Sequence, residues 1–430
     1  MELLTRIDFV RQVLHRRFSS RTVRWVQPSK SVGGLNVTVE YDFLCYNEKD
    51  EKKCGDSITA IIVDDTTRAS AARQHIQHGR ALIYQGDYHN ARQLLAAIKR
   101  RHSGKNSETI RHSTTVAEQW QQLRQVVYQQ TKEMKMVMIQ VDASHNLKDL
   151  RRAPNVRHIL SKVYSFRSEA YVMPLRDLLG MIGAHEWYKK GIFIPELGDF
   201  IHPHYGVFAP TRNEYVNLVD RAAKDFFKAN GKEIVAMDIG IGTGVLAALL
   251  LKKYNIKRIV GTDMNPSAIE CSKKNLERMG FTCPSSRIEL IETDLFPCDD
   301  EKADLIICNP PWIPGKAHSW LDRAVYDEED LSFLRRFLKT AKNHLRPTQH
   351  SEIWLVLSNF AELLGLRSEK ELKEMIQGGC LEVFETYHVH TATQKKTSKS
   401  SKNQIDQSLA KIKAAREAET ITLYRLRVSP

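Results

Sequence analysis

The chain of 430 residues has no uninterrupted apolar run of about eighteen residues, so no segment of it is suited to crossing a bilayer. Cysteine is scarce and scattered. Cys45, Cys54, Cys271, Cys283, Cys298, Cys308 and Cys380 show no metal-type spacing, and their odd number argues for reduced thiols in an intracellular, cytoplasmic protein. His202 and His204 lack a third ligand at a suitable spacing, so no metal is expected. Internal repeats are missing too, which removes a helical repeat array from consideration. Acidic residues are the minority charge: 51 Asp and Glu stand against 64 Lys and Arg, for a formal charge of +13. Such a balance attracts polyanions and admits nucleic acid as a partner, although a solvated basic surface accounts for it equally. Residues 1–160 contain no recognisable RNA-binding module with aromatic platforms.

What is present is most informative at Asn309, Pro310, Pro311 and Trp312. They follow Ala303–Cys308, an apolar run that reads as a short buried strand. The prolines supply no backbone N–H and hold φ near −65°, so the loop is stiff and offers mainly carbonyl oxygens. The Asn309 amide adds an acceptor beside them, and Trp312 adds a π face. A planar –NH₂ group, with two protons to donate and a face to stack, suits this set; an ordinary proline turn is the plainer alternative.

From Ile234 onward the chain alternates strand-like and helix-like segments, the pattern of a parallel sheet wrapped by helices. Strands are predicted at Ile234–Ile239, Arg258–Thr262, Ile288–Ile291, Ala303–Cys308, Ile353–Ser358, Leu381–His388 and Thr422–Val428. Helices are predicted at Val245–Lys253, Asn265–Gly280 and Glu362–Gln377; Asn265 suits a cap, Pro266 the first turn and Gly280 the end of the second. Residues 391–420 read as a basic insertion, mobile in its first part and helical over Ile405–Glu419, either simply solvated or in contact with nucleic acid.

Residues 1–160 are expected to form a separate α/β domain, a candidate for substrate recognition, and residues 161–230 a connecting and cofactor-flanking segment. Within the first domain, strands are predicted at Arg21–Val26 and Ile58–Val63 and helices at Ser70–Arg101 and Thr115–Lys132; Gly79–Arg101 resembles a helical hairpin and residues 102–114 a surface loop. The arginines at 6, 11, 16, 17, 21 and 24 loosely match an organelle-targeting leader, and a basic surface helix over Ile7–Phe18 is the favoured reading of the same residues.

The strand Ile234–Ile239 runs into Asp238-Ile-Gly-Ile-Gly-Thr-Gly244 and then directly into a helix. Glycines at 240, 242 and 244 allow a tight turn and a close approach of backbone N–H groups to a ligand. A dinucleotide fingerprint would place its third glycine at 245, where Val245 stands, so a Rossmann dehydrogenase is disfavoured. This form resembles the first motif of class I S-adenosylmethionine-dependent methyltransferases. Asp263 ends the next strand, where a carboxylate can accept ribose hydroxyls; Asp294 closes the third, where its carboxylate or adjacent backbone can bind an adenine amino group; Asn309 closes the fourth.

With the asparagine motif included, residues 231–430 resemble the methyltransferases that modify planar nitrogens: adenine-N6 and guanine-N2 nucleobase enzymes and release-factor glutamine methyltransferases. Trp312 is the less common variant, since Tyr or Phe usually follows the prolines. The resemblance implies a Rossmann-like α/β domain of seven strands, mostly parallel with an antiparallel last strand, and S-adenosyl-L-methionine as cofactor. It implies cofactor binding by Asp238, Gly240, Gly242, Thr243, Gly244, Asp263, Met264, Asp294, Leu295 and Asn309, and catalysis by Asn309, Pro310, Pro311 and Trp312. Pro210, Arg212 and Glu214 loosely match a cofactor-flanking strip of the glutamine enzymes, while His318, Trp320, Arg323 and Tyr326 lie in the loop after the motif, where they can shape the substrate side. RNA or another nucleic acid, or a protein glutamine, is the implied substrate; a small-molecule methyltransferase and a catalytically retired binding fold are the alternatives.

Overall fold

The computed structural model describes residues 19–25, 38–43, 58–105, 115–164, 170–230, 233–298, 300–328, 330–391 and 409–429. The readings for Ile7–Phe18, for residues 106–114 and for the lysine-rich part of the basic insertion lie outside these residues. Two compact units are present, residues 1–113 with 121–183, and residues 114–120 with 184–430. The first unit extends past the expected limit at residue 160 because Tyr171–Pro174 pairs with Val137–Val141 and Thr38–Phe43.

In the first unit the strands Ala81–Tyr84, Ile58–Val63, Ser19–Trp25, Thr38–Phe43, Tyr171–Pro174, Val137–Val141 and Leu147–Lys148 follow one another in that order. Ala81–Tyr84 also pairs with Val137–Val141, which closes the sheet on itself. The expected helical hairpin over Gly79–Arg101 is therefore a strand followed by a helix, Tyr88–Lys105. All four residues of Ala81–Tyr84 are buried, and a short run of that kind carries no periodicity to separate strand from helix.

The second unit is a wound sheet. The elements of the sheet and its flanking helices are α1 (Glu214–Asn230), β1 (Ile234–Ile239), α2 (Val245–Lys253), β2 (Ile256–Asp263), α3 (Pro266–Arg278), β3 (Ile288–Glu292), β4 (Leu305–Cys308), α4 (Ser332–Thr340), β5 (Glu352–Ser358), α5 (Glu369–Gly378), β6 (Leu381–His390), α6 (Ala410–Glu417) and β7 (Thr420–Val428), with shorter elements between them. The strand order is β3-β2-β1-β4-β5-β7-β6. Only β7 runs against the others, as expected of the last strand.

Alternation along each strand feeds two apolar layers. Ile234 and Ala236 of β1 and Leu305 and Ile307 of β4 pack with Phe226 of α1, Leu249 of α2 and Leu276 of α3. Val235 and Met237 of β1 and Ile306 and Cys308 of β4 pack with Phe337 of α4 and Met375 of α5. Both faces being covered, the central strands are buried along their whole length and apolar apart from Asp238 in β1, which makes them legible in the sequence as buried runs. The single helix expected over Glu362–Gln377 is instead a turn of helix, Phe360–Leu363, and α5. Gly365 adopts φ +74° between them, and Ser368 with Glu371 forms a reciprocal capping box that starts α5 afresh.

Candidate active site

Strand register sets the site. Ile239 at the end of β1 pairs with Cys308 at the end of β4, so the next residues, Gly240 and Asn309, leave the two central strands side by side. Here the strand order reverses, and open α/β sheets bind ligands in the crevice beyond such a point. Ile239 also pairs with Thr262, which brings Asp263 to the same edge on the other side of β1.

The glycine loop and Asp263 are one hydrogen-bonded unit. Gly242 N donates to Asp263 Oδ2 at 3.0 Å, Asn265 N donates to Asp263 Oδ1 at 2.8 Å, and Gly240 N and Ile241 N donate to Thr262 O at 2.9 and 2.8 Å. Burial pushes the Asp263 carboxyl up, against the lowering effect of the Asn265 and Gly242 N–H groups. Asp238 is more enclosed, with 3% of its surface exposed, and its Oδ2 accepts from Ala247 N in the first turn of α2 at 3.1 Å. Its carboxyl is pushed up to about 7, chiefly by burial, with the neighbouring Asp263 charge adding and the Ala247 N–H opposing.

The glycines differ in what they do. A Cβ on Gly240 would meet nothing within 4 Å and one on Gly242 only the Gly240 carbonyl at 3.9 Å, so the loop is a cradle with open space along it. Gly244 is held by packing as well as by φ +79°: a Cβ there would lie 3.0 Å from Ser272 Cβ and 3.2 Å from Ser272 Cα. Gly244→Ala is expected to destabilise the protein by about 1–3 kcal/mol, measured as a lower urea midpoint; an unchanged midpoint would show that α3 yields at Ser272 without cost.

Asn309 and Trp312 are joined directly. Trp312 Nε1 donates to Asn309 Oδ1 at 2.9 Å and to Val356 O of β5 at 3.2 Å, and the ring packs against both apolar layers. Pro310 is buried, whereas Asn309, Pro311 and Trp312 are half-buried. Beyond them, Ile313–Pro314 pairs with Tyr326–Asp327, and the buried Asp327 carboxylate accepts from Glu328, Phe333 and Leu334 N at 2.9, 2.9 and 3.0 Å. The loop that carries His318, Trp320, Arg323 and Tyr326 is thereby tied to the start of α4.

Asp294 is not drawn into this cluster. It lies two residues beyond β3, exposed, with its carboxylate gripped by Arg336 of α4 through contacts of 2.7 and 3.2 Å. Leu295 beside it turns the chain at φ +69°, and its carbonyl accepts from Thr262 Oγ1 at 2.6 Å. Met264 is 37% exposed next to Asp263, and Thr243 is buried, its carbonyl accepting from Asn275 Nδ2 at 3.0 Å.

The upstream strip follows α3 and then crosses to the far side of the edge. His202 N donates to Asn275 Oδ1 at 2.9 Å, His204 N to Cys271 Sγ at 3.3 Å, and Asn265 Nδ2 to Gly206 O at 3.2 Å. His202 and His204 lie against the Tyr188 ring, at centroid separations of 6.2 and 5.4 Å. Arg212 Nη1 then meets Glu419 Oε2 at 2.9 Å, just before β7. Glu419 is fully buried and also accepts from Ser358 Oγ at 2.6 Å and from Arg416. In the sequence Glu419 reads as one of the acids of a solvated loop; its partners Ser358 and Arg212 are too distant along the chain to signal otherwise. Glu214 opens α1, where its Oε2 is buried without a hydrogen-bond partner among the described residues. Tyr215, the next residue, interacts electrostatically with Asp238.

A wound seven-stranded sheet with a glycine cradle after β1, an acid at the end of β2 and an Asn-Pro-Pro-Trp loop after β4 defines a Rossmann-like methyltransferase domain. Residues 201–378 match the methyltransferase small domain, and the chain belongs to that family. It is 32% identical over 143 residues to a release factor glutamine methyltransferase of Geobacter sulfurreducens, covering 31% of this chain and 49% of that protein. A Methanocaldococcus jannaschii protein provisionally named a protein N5-glutamine methyltransferase is 32% identical over 154 residues, 34% of this chain and 69% of that one. A tRNA1(Val) (adenine(37)-N6)-methyltransferase of Porphyromonas gingivalis is 30% identical over 89 residues, 19% of this chain and 34% of that one. The chain thus spans about half the length, 49%, of the release factor enzyme it matches. No helix among the described residues is long and apolar enough to cross a membrane.

Proposed function

We propose that this protein is an S-adenosylmethionine-dependent N-methyltransferase acting on a planar amide or amino nitrogen, carried by nucleic acid or by a protein glutamine. The observation that carries the reading is the register that sets the glycine cradle and Asn309 next to each other at the point where strand order reverses. The residues present fit the cofactor: the cradle has room, Asp263 is fixed by two N–H groups with lone pairs remaining for hydroxyls, and Glu214 Oε2 and Asp238 are acceptors suited to a cationic group. S-adenosylmethionine, when bound there, supplies an electrophilic sulfonium methyl.

The chain's own groups then handle the nitrogen. Asn309 Oδ1 and the Pro310 carbonyl accept its two N–H groups, which leaves its lone pair for the incoming methyl. As the nitrogen becomes positive, both acceptors hold it more strongly than in the ground state, so they favour the transition state. The displaced proton leaves to water. The names of the glutamine and tRNA adenine relatives support this class of acceptor, and the charge of +13 adds weight to nucleic acid.

Asp263→Ala is expected to weaken S-adenosylmethionine binding by about 1–3 kcal/mol, the scale of a lost charge-assisted hydrogen bond, read by calorimetry. Unchanged affinity would remove Asp263 from the cofactor site. The acceptor class is tested by incubating the protein with methyl-labelled S-adenosylmethionine and a cell extract, followed by ribonuclease, deoxyribonuclease or protease. Label released by a nuclease identifies RNA or DNA and label released by protease a protein; label resistant to all three points to a small molecule and overturns the proposed substrate class.

A further inference from the structure

The residue type of Trp312 alone suggests a stacking face. The structure adds a different use. Its indole N–H points to two oxygens, Asn309 Oδ1 at 2.9 Å and Val356 O at 3.2 Å, while the ring is wedged between the two apolar layers at the end of the sheet. An indole nitrogen donates and never accepts, so the atom of Asn309 that faces it has to be the oxygen; the flipped amide would set N–H against N–H. We propose that Trp312 is a positioning residue that locks the Asn309 amide with its oxygen as the acceptor and thereby makes the site select a nitrogen that carries hydrogens.

The inference rests on the methyltransferase reading above, and its logic concerns only lone pairs and protons. Each carbonyl oxygen has two lone pairs, so Oδ1 can accept from Trp312 and still accept from an incoming –NH₂. Val356 belongs to β5, one strand beyond the Asn309 strand, and fixes the far side of the indole edge. Without that lock the amide is free to present Nδ2, which repels an –NH₂ donor and attracts a carbonyl or tertiary amine instead. A phenyl ring at position 312 would keep the apolar packing and lose the N–H.

The test combines rate and spectroscopy. In Trp312→Phe, methyl transfer from labelled S-adenosylmethionine into the accepting extract fraction is expected to fall about tenfold at saturating acceptor, the scale of one hydrogen bond. The half-saturating amount of acceptor and the affinity for S-adenosylmethionine should stay unchanged. Asn309→Asp supplies the control, because a carboxylate has two equivalent oxygens and cannot be flipped; in that background Trp312→Phe should cost nothing further. A wild-type rate in Trp312→Phe, or the same loss in both backgrounds, overturns the proposal. Independently of activity, the indole N–H signal of Trp312 in ¹⁵N-labelled protein should shift in Asn309→Leu, and an unmoved signal overturns the proposal even if Asn309→Asp is inactive. Should the wild-type protein transfer no methyl group to any fraction, the methyltransferase reading fails, and the spectroscopic result still decides whether the amide is locked.

Discussion

Asn309→Ala is expected to reduce methyl transfer by about 10²–10³-fold, the range seen when one preorganised polar group is removed from a charge-developing site. Cofactor affinity should remain within a few-fold. The two halves of this result come from different strands. Asn309 follows β4, whereas the glycine cradle follows β1, Asp263 ends β2, and the two hold each other through Gly242 N without help from β4. Loss of the Asn309 amide also removes one partner of the Trp312 indole, which keeps Val356 O as its second acceptor, so the fold should survive. The measurement is a labelled-methyl assay beside calorimetric titration of S-adenosylmethionine. If affinity collapses together with rate, Asn309 belongs to the cofactor's side of the crevice and the assignment of the acceptor side is wrong.

The second large effect concerns Asp238 and pH. Burial raises its carboxyl to about 7 in the folded protein, well above the value of roughly 3.9 in an unfolded chain. A raised carboxyl favours the protonated form on folding, so its contribution to stability is complete below the unfolded value and is lost as pH rises through about 7. The loss is at most of order 4 kcal/mol, since a tenfold change in proton affinity between the two states is worth about 1.36 kcal/mol. Asp238→Asn keeps an oxygen for the Ala247 N–H and cannot ionise. Urea unfolding without cofactor should therefore show the variant gaining on the wild type by a few kcal/mol between pH 5 and pH 8, and parallel curves would contradict a burial cost. The same substitution should weaken S-adenosylmethionine binding at pH 8, because a charge that is costly in the empty fold becomes useful beside a cationic ligand.

Why would a fold retain such a charge? Asp238 lies near the end of a fully buried strand, at the one place where β1 opens into the glycine cradle. Moving it outward would relieve the burial but would also take it from the helix start it braces. A cost of this kind is typical of ligand-binding edges, where stability is given up for a prepared electrostatic environment.

Legibility in the sequence differs by element. The end of β1, the helix α2 and the cap at Asn265 can be read because each rests on local chemistry. The strand runs with little polar interruption, the glycines are spaced for a turn, and Asn265 Oδ1 accepts from Ser267 N two residues on, with Pro266 beginning the helix. The break at Gly365 is hidden because a helical pattern continues on both sides of it. Ala81–Tyr84 is ambiguous because four apolar residues fit a buried helix as well as a buried strand. Asp294 reads as a carboxylate placed to bind an adenine amino group, and nothing near it in the chain announces Arg336.

Residue type and short-range spacing alone determined the kind of site: a glycine turn after one strand, an acid ending the next, and an Asn-Pro-Pro-aromatic loop after a third. These are properties of a few consecutive residues, set by allowed dihedrals and by which atoms donate or accept. Tertiary structure decided which of those groups meet. Only the pairing of Ile239 with Cys308 places the cradle beside Asn309, and only the packing of Trp312 between two layers turns its N–H onto the Asn309 oxygen. Likewise Arg212 finds Glu419 across 207 positions of sequence. Contacts of that kind arise from register and from the filling of a shared core, and no local pattern encodes them.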